Sequence, residues 1–189
     1  MDLISLETYK QAKAISSNEE DERLLSIIPS VSQLVKTYCS NSFNEFVDTD
    51  KVEFFSVSWD ENELMTTESP ILVVTEVAER NAYYEDYVVL VEDEDYVVEE
   101  RTDSIIRLTK NYPKGTKSVR ITYSAGYAEI PEDLNLAMID LVHYYRQGEY
   151  KMMKSLNSAT LTNSTTSSIV GNIGFPDHIK RVLDLYRLM

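Results

Sequence analysis

The side chains able to do chemistry are few and scattered. The chain has 2 histidines, His143 and His178, and 1 cysteine, Cys39. No His-Glu-x-x-His pair could hold zinc, no Gly-x-Ser-x-Gly turn could present a serine, and no glycine-rich loop could cradle a phosphate. His143 falls beside Asp140 and Gln147 on the polar side of a helical pattern, which reads as a solvated or interface histidine. Cys39 closes an apolar helical pattern, where a small, half-buried core residue is expected rather than a nucleophile. A lone cysteine forms no internal disulfide, and residues 1–20 contain no apolar run that could serve as a signal peptide, so a cytoplasmic, reducing setting is expected. No catalytic residue, cofactor or metal site is assigned.

The run Glu92-Asp93-Glu94-Asp95 offers carboxylates, which hard cations want clustered. Its spacing argues against calcium. A calcium-binding loop needs alternating acidic ligands, a glycine at the sharp turn and a closing glutamate, and no glycine occurs between Glu76 and Lys114. A solvated turn between strands is the expectation. The wider bias is broader: residues 76–103 hold Glu76, Glu79, Glu85, Asp86, Glu92, Asp93, Glu94, Asp95, Glu99, Glu100 and Asp103 against only Arg80 and Arg101. Residues 146–189 lean the other way, with Arg146, Lys151, Lys154, Lys180, Arg181 and Arg187 against Glu149, Asp177 and Asp184. Opposite charge on different parts of one chain allows complementary contacts between neighbours; solubility alone is the competing reading.

These residues must be positioned by three successive kinds of element. Ser5 can cap a first short helix through Leu6, Tyr9, Ala12 and Lys13. Ser17-Asn18-Glu19-Glu20 fits a capping box for a second, in which Leu24, Ile28, Val31, Val35 and Tyr38 share one face and Pro29 should kink or break the helix. From Lys51 the period falls to about two. Strands are predicted at Val52–Ser58, Ile71–Ala78, Tyr84–Val91, Tyr96–Glu99, Ser104–Thr109 and Ser118–Tyr123, with turn chemistry at Tyr112-Pro113-Lys114-Gly115. Together they suggest a small antiparallel sandwich or open barrel. Pro131 then suits a first helical position, and Leu134, Met138, Leu141 and Tyr145 form the apolar stripe of a third helix. Residues 157–168 are almost all Ser, Thr and Asn and read as a connector. They lead to a last amphipathic segment, started by Pro176 and Asp177, in which Ile179, Val182, Leu183, Tyr186 and Met189 share a face. Two readings of it stay open, a docking peptide and a helix folded back on its own core.

The fold class is therefore α+β: a helical bundle from residues 1–48 and 127–155, an inserted antiparallel β lobe at 49–126 projecting from it, a flexible Ser/Thr-rich linker at 156–175 and a tethered C-terminal helix at 176–189. The formal charge of −14, from 18 basic and 32 acidic residues, disfavours a sequence-reading role on nucleic acid. Apolar stretches such as Tyr87–Val91 fall far short of the roughly 20 residues that span a bilayer. The 13 tyrosines, two pairs of them adjacent at Tyr83-Tyr84 and Tyr144-Tyr145, supply rigid contact area with a polar tip, which suits interfaces. With no catalytic constellation, an assembly protein fits better than an enzyme.

At Val119–Ala137 the chain reads VRITYSAGYAEIPEDLNLA. This string resembles the head–tail connector proteins of tailed bacteriophages, also called adaptor or head-completion proteins, in its pattern of strand, Tyr, small, Ala, Gly, Tyr, then Pro, acidic, Leu and Ala. Ser17–Asp21 with the helix ending at Tyr38–Phe43 is similar to the family's first helical pair. Ser69–Val77, Asp95–Val98 and Ile105–Leu108 are similar to its β insertion, and Pro176–Arg187, PDHIKRVLDLYR, to its C-terminal helix. The order of these motifs along the chain carries the likeness. Gly126 and Pro131 are then architectural, a tight change of direction followed by the launch of a helix.

The resemblance implies a ring, commonly of twelve subunits, attached beneath the portal protein and bridging it to a downstream neck or tail protein. It also implies that the C-terminal helix docks on the portal, with Ile179, Val182, Leu183 and Tyr186 as apolar contacts and Lys180, Arg181 and Arg187 as a charged rim. DNA would be only passing cargo in the lumen, where an acidic wall would let it slide. The expected place is the virion neck, after assembly in the host cytoplasm. A tail-completion or tail-terminator protein is the first rival. A carbohydrate-binding or hydrolytic module using the lobe's carboxylates is the second, and the sequence supplies no cleft for it.

Overall fold

The structure, a computed structural model, describes residues 1–99, 101–148, 153–156, 159–162 and 175–187. In chain order its elements are α1 (Leu6–Ala12), α2 (Asp21–Cys39), β1 (Lys51–Val57), β2 (Glu63–Met65), β3 (Ile71–Glu79), β4 (Val88–Val89), β5 (Tyr96–Glu99), β6 (Ser104–Arg107), β7 (Gly115–Ala125), α3 (Glu132–Gln147), β8 (Met153–Leu156), β9 (Ala159–Thr162) and α4 (Asp177–Leu183). They fall into two units, Met1–Asn41 with Ile130–Met189, and Ser42–Glu129.

The first unit is helical. The Ser5 hydroxyl accepts the Thr8 N–H at 3.1 Å and starts α1. The capping box expected for α2 does not form. The helix begins one turn later, at Asp21, because the Glu20 carboxylate is drawn to Arg146 at 2.5 Å and the Ser17 hydroxyl takes the Glu19 N–H instead. Nor does Pro29 break α2, which runs unbroken through it. Pro29 and Leu25, whose carbonyl loses its partner, are both exposed, so water can satisfy that carbonyl. The expected stripe Leu24, Ile28, Val31 and Val35 is buried; at its end the fully buried residue is Cys39, with Tyr38 half-buried.

Pro131 sits just before α3, one position earlier than predicted, with the extended ψ of 142° that the flanking residue needs. Gly148, at φ +66°, ends the helix in the left-handed turn that a residue without Cβ adopts at least cost. Segments on either side of the β insertion are tied together. Lys13 pairs with Asp140 at 3.0 Å, Arg23 donates to the Arg146 carbonyl at 2.7 Å, and the buried Tyr9 hydroxyl meets His143 Nδ1 at 3.3 Å. His143 is thus a partly buried bundle residue with a partner. Of the expected linker, Ala159–Thr162 pairs antiparallel with Met153–Leu156 as a hairpin and Phe175 is buried. Positions 157–158 and 163–174 lie outside the described residues.

The second unit is a two-sheet β lobe, with strand orders β1-β7-β3-β4 and β2-β6-β5, every pairing antiparallel. β7 is its spine: Val119, Ile121, Tyr123 and Ala125 point into the core while Arg120, Thr122 and Ser124 alternate outward. The core joins both sheets, with Val57, Val77 and Val119 on one side and Leu64, Tyr96 and Ile105 on the other. The sandwich thus matches the predicted class. β2 escaped prediction, since three residues show no periodicity, and only Val88–Val89 of the predicted Tyr84–Val91 strand is ladder-bonded. Ser42–Asp48 and Tyr127–Glu129 belong to this unit rather than to the bundle. Phe43 is wholly buried, its carbonyl accepts the Tyr127 N–H at 2.6 Å, and Ser42 donates to Glu68 through both its amide and its hydroxyl at 2.8 Å.

Candidate docking surfaces

The C-terminal helix decides which of the expected contact residues are available. Ile179 is 1% exposed and Leu183 is fully buried; with Phe175 they complete the bundle's own core. The structure therefore gives these two side chains a partner within their own chain, the folded-back alternative, because a seven-residue helix needs such burial to persist. Polar ties reinforce the packing. Tyr38 donates to Asp184 at 2.5 Å, Tyr186 donates to Asp133 at 2.6 Å, the Cys39 thiol points to the Leu183 carbonyl at 3.6 Å, and the Phe175 ring meets Tyr38 edge-on at 5.0 Å. The Arg187 guanidinium lies 5.4 Å from the centre of the Tyr38 ring.

Burial and the Asp184 carboxylate push the Tyr38 hydroxyl up to about 12, and burial, with Asp184 second, pushes the Cys39 thiol up to about 12. Cys39 is therefore inert at neutral pH. What remains at the surface of α4 and its tail is the charged rim and its neighbours. Arg181, Arg187 and Leu185 are exposed, Leu185 at 77%, while Lys180, Val182 and Tyr186 are half-buried.

The turn at Gly126 is tight. Gly126 has φ +115°, and a Cβ there would stand 2.2 Å from the Phe43 carbonyl oxygen. Its own N–H donates to the Pro70 carbonyl at 2.8 Å, and its neighbour Ala125 donates to Phe46 at 2.9 Å. A side chain cannot enter without moving backbone.

The acidic lobe is partly neutralised from inside. Arg107, only 4% exposed, reaches Glu79 at 3.3 Å and Asp95 at 3.1 Å, and Lys110 reaches Glu79 at 2.7 Å. Hydrogen bonds from the Val91 amide and from Arg107 hold Asp95 below the usual carboxylate range. Sequence reading missed this buried network, because nothing in the spacing of Glu79, Asp95 and Arg107 shows that the two sheets bring them together. Glu92, Asp93 and Glu94 remain exposed. Among the described residues no three His, Cys, Asp or Glu side chains converge as metal ligands would. A shallow groove of about 380 Å³ beside α2, lined by Met1, Ile4, Leu6, Leu25, Ile28 and Pro29 with Asp2 and Ser5, gathers no acid–base pair.

Residues 2–189 match the family described as Head completion protein. The chain belongs to that family. It is 33% identical over 86 residues to the head completion protein of Escherichia phage T5, a stretch covering 46% of this chain and 47% of that relative, so it matches about half the relative's length. Among solved structures, it is similar to a chain in the neck of an empty gene transfer agent particle computed with C6 symmetry, at TM-score 0.60 and 14% identity, covering 99% of this chain and 90% of that one. A chain in the neck of the native particle, computed with C12 symmetry, gives TM-score 0.55 at 14% identity, covering 100% and 94%. At this identity the likeness is one of fold. The family is the one that VRITYSAGYAEIP and its companion motifs resembled.

Proposed function

We propose that the chain is a structural adaptor of a tailed-phage neck, forming a ring that attaches to the portal of the DNA-filled head and connects it to the next neck or tail protein. The family match over residues 2–189 carries this reading. In it the protein works by binding, without a catalytic step, and its place is the virion neck. DNA passes through the ring without being held, as suits a chain with a formal charge of −14.

Portal docking falls to the outward side of α4. Ile179 and Leu183 hold the helix on its own bundle, and Arg181, Leu185 and Arg187 face outward with Lys180, Val182 and Tyr186 at the margin. A cationic rim around an exposed leucine suits a portal surface that is acidic at its edge and apolar at its centre. Deleting residues 173–189 would be a poor test, because it also removes the core residues Phe175, Ile179 and Leu183. The double substitution Arg181→Glu with Leu185→Asp leaves that core intact. We expect it to keep the native far-ultraviolet spectrum while lowering affinity for purified portal at least tenfold. Unchanged portal binding by a folded variant would count against this docking face, and unchanged particle assembly without the protein would count against the neck role.

A further inference from the structure

The outer face of the β1-β7-β3-β4 sheet carries an aromatic frame with cations fixed in it. The Arg80 guanidinium lies 4.5 and 4.6 Å from the ring centres of Tyr83 and Tyr87. Arg120 approaches the Tyr87 ring at 4.7 Å, and Lys117 Nζ stands 5.3 Å from the centre of the Phe54 ring. Hydrogen bonds set the frame. Arg80 Nε and the Tyr87 hydroxyl both donate to the Lys117 carbonyl, at 3.0 and 2.6 Å, and a second Arg80 nitrogen donates to the Tyr83 carbonyl at 2.8 Å.

The frame is nevertheless open, with Tyr83 66% and Tyr84 88% exposed. Glu76 neutralises Arg120 at 2.6 Å, whereas among the described residues Arg80 and Lys117 are paired with no carboxylate. Ordered tyrosines around arginine are the composition of the energetic centres of protein interfaces.

The complementary charge sits on the same lobe. Glu92, Asp93 and Glu94 are exposed and, among the described residues, unpaired with any cation. Their turn is held by Asp95, whose carboxylate accepts the Val91 N–H at 3.0 Å and Arg107 at 3.1 Å. Frame and turn flank the segment Tyr87–Val91, four residue rises or about 13 Å at strand spacing. Among the described residues no ion pair joins the turn to its own frame. A contact between two different patches of one chain, repeated from copy to copy, closes a ring when the rotation allows.

We propose that the frame of Arg80, Tyr83, Tyr87 and Lys117 is occupied by the Glu92–Glu94 turn of a second copy of this chain, a head-to-tail contact that links neighbours in the ring. This inference deepens the neck-adaptor reading and rests on it.

Cysteine cross-linking in assembled particles tests it. Cys39 is the sole cysteine and is buried, so Tyr84→Cys with Glu94→Cys would add the exposed thiols. Mild oxidation should convert particle-bound protein into a covalent ladder of multiples of 21.7 kDa, while each single variant stays uncoupled. Particles that carry the oxidised double variant only as single chains would overturn the contact and leave the neck reading standing. Absence of the wild-type chain from particles would overturn both. A charge exchange gives a second readout: Lys117→Glu should lower ring yield at least tenfold, and adding Glu94→Lys in the same chain should restore it. Normal yield with Lys117→Glu alone, or no rescue, would reject the pairing.

Discussion

Replacing Leu183 by alanine tests whether the C-terminal helix is part of the bundle's core. Leu183 is fully buried, so the change removes three carbons from an apolar site. Transfer of those carbons is worth about 2.4 kcal/mol at roughly 0.8 kcal/mol per methylene, and the cavity left behind raises the expected cost to about 3–4 kcal/mol. Leu185, 77% exposed two residues later, should cost less than about 0.5 kcal/mol when made alanine. Leu185 lies past the end of α4, in the turn that follows it, so this control tests exposure rather than helix propensity. Urea unfolding followed by helical circular dichroism reports on the bundle, the unit that holds the helices. Leu183→Ala should move the helical midpoint to markedly lower urea and Leu185→Ala should leave it in place. Equal, small shifts for both variants would refute the packing of α4 on the bundle and return Ile179 and Leu183 to the pool of contacts for another polypeptide.

Three further outcomes follow from the geometry. Gly126→Ala should destabilise the β lobe by on the order of 1–3 kcal/mol in the urea-induced loss of near-ultraviolet dichroism from its buried Tyr112 and Tyr123, since the new Cβ would stand 2.2 Å from the Phe43 carbonyl oxygen at φ +115°; a neutral effect would contradict the turn. Arg107→Leu should cost about 3 kcal/mol, because Glu79 would keep only the half-exposed Lys110; adding Glu79→Leu should recover much of the loss, and a double variant no better than the single would reject the pairing. Tyr38 ionises at about 12 in the fold against about 10 in the unfolded chain, so its contribution is complete below pH 10 and is lost as pH rises through 12. An ultraviolet difference titration of wild type against Tyr38→Phe should show that late step, and Asp184→Asn should move it toward 10; a Tyr38 titrating at 10 in the wild type would dismiss the Asp184 bond.

The helices and most strands were legible because their apolar residues recur at the period of the element they form. Leu24, Ile28, Val31 and Val35 mark one helical face by spacing alone, and Val119, Ile121 and Tyr123 mark one strand face by alternation. Local signals failed where a distant residue competed for the same group. Glu20 matched a capping box, but Arg146, far along the chain, takes its carboxylate. The run 92–95 looked uniformly solvated, yet Arg107 draws Asp95 into a buried network and leaves its three neighbours outside. Proximity across the fold, which spacing along the chain does not encode, separates the structural acids from the available ones.

The same distinction governs the C-terminal helix. Its apolar stripe was visible in Ile179, Val182, Leu183 and Tyr186, but a stripe does not say whose core it enters. Cys39 and Tyr38 answer that, because the last turn of α2 presents a fully buried thiol beside Leu183 and a hydroxyl bonded to Asp184. A helix held this way keeps Arg181 in a set orientation, and Arg187, past the helix end, is placed by its approach to the Tyr38 ring at 5.4 Å. Docking with a preset face loses less conformational entropy on binding than ordering a free tail would. On that argument the intramolecular packing of Ile179 and Leu183 and the proposed intermolecular role of Arg181, Leu185 and Arg187 are not rivals: the first would prepare the second.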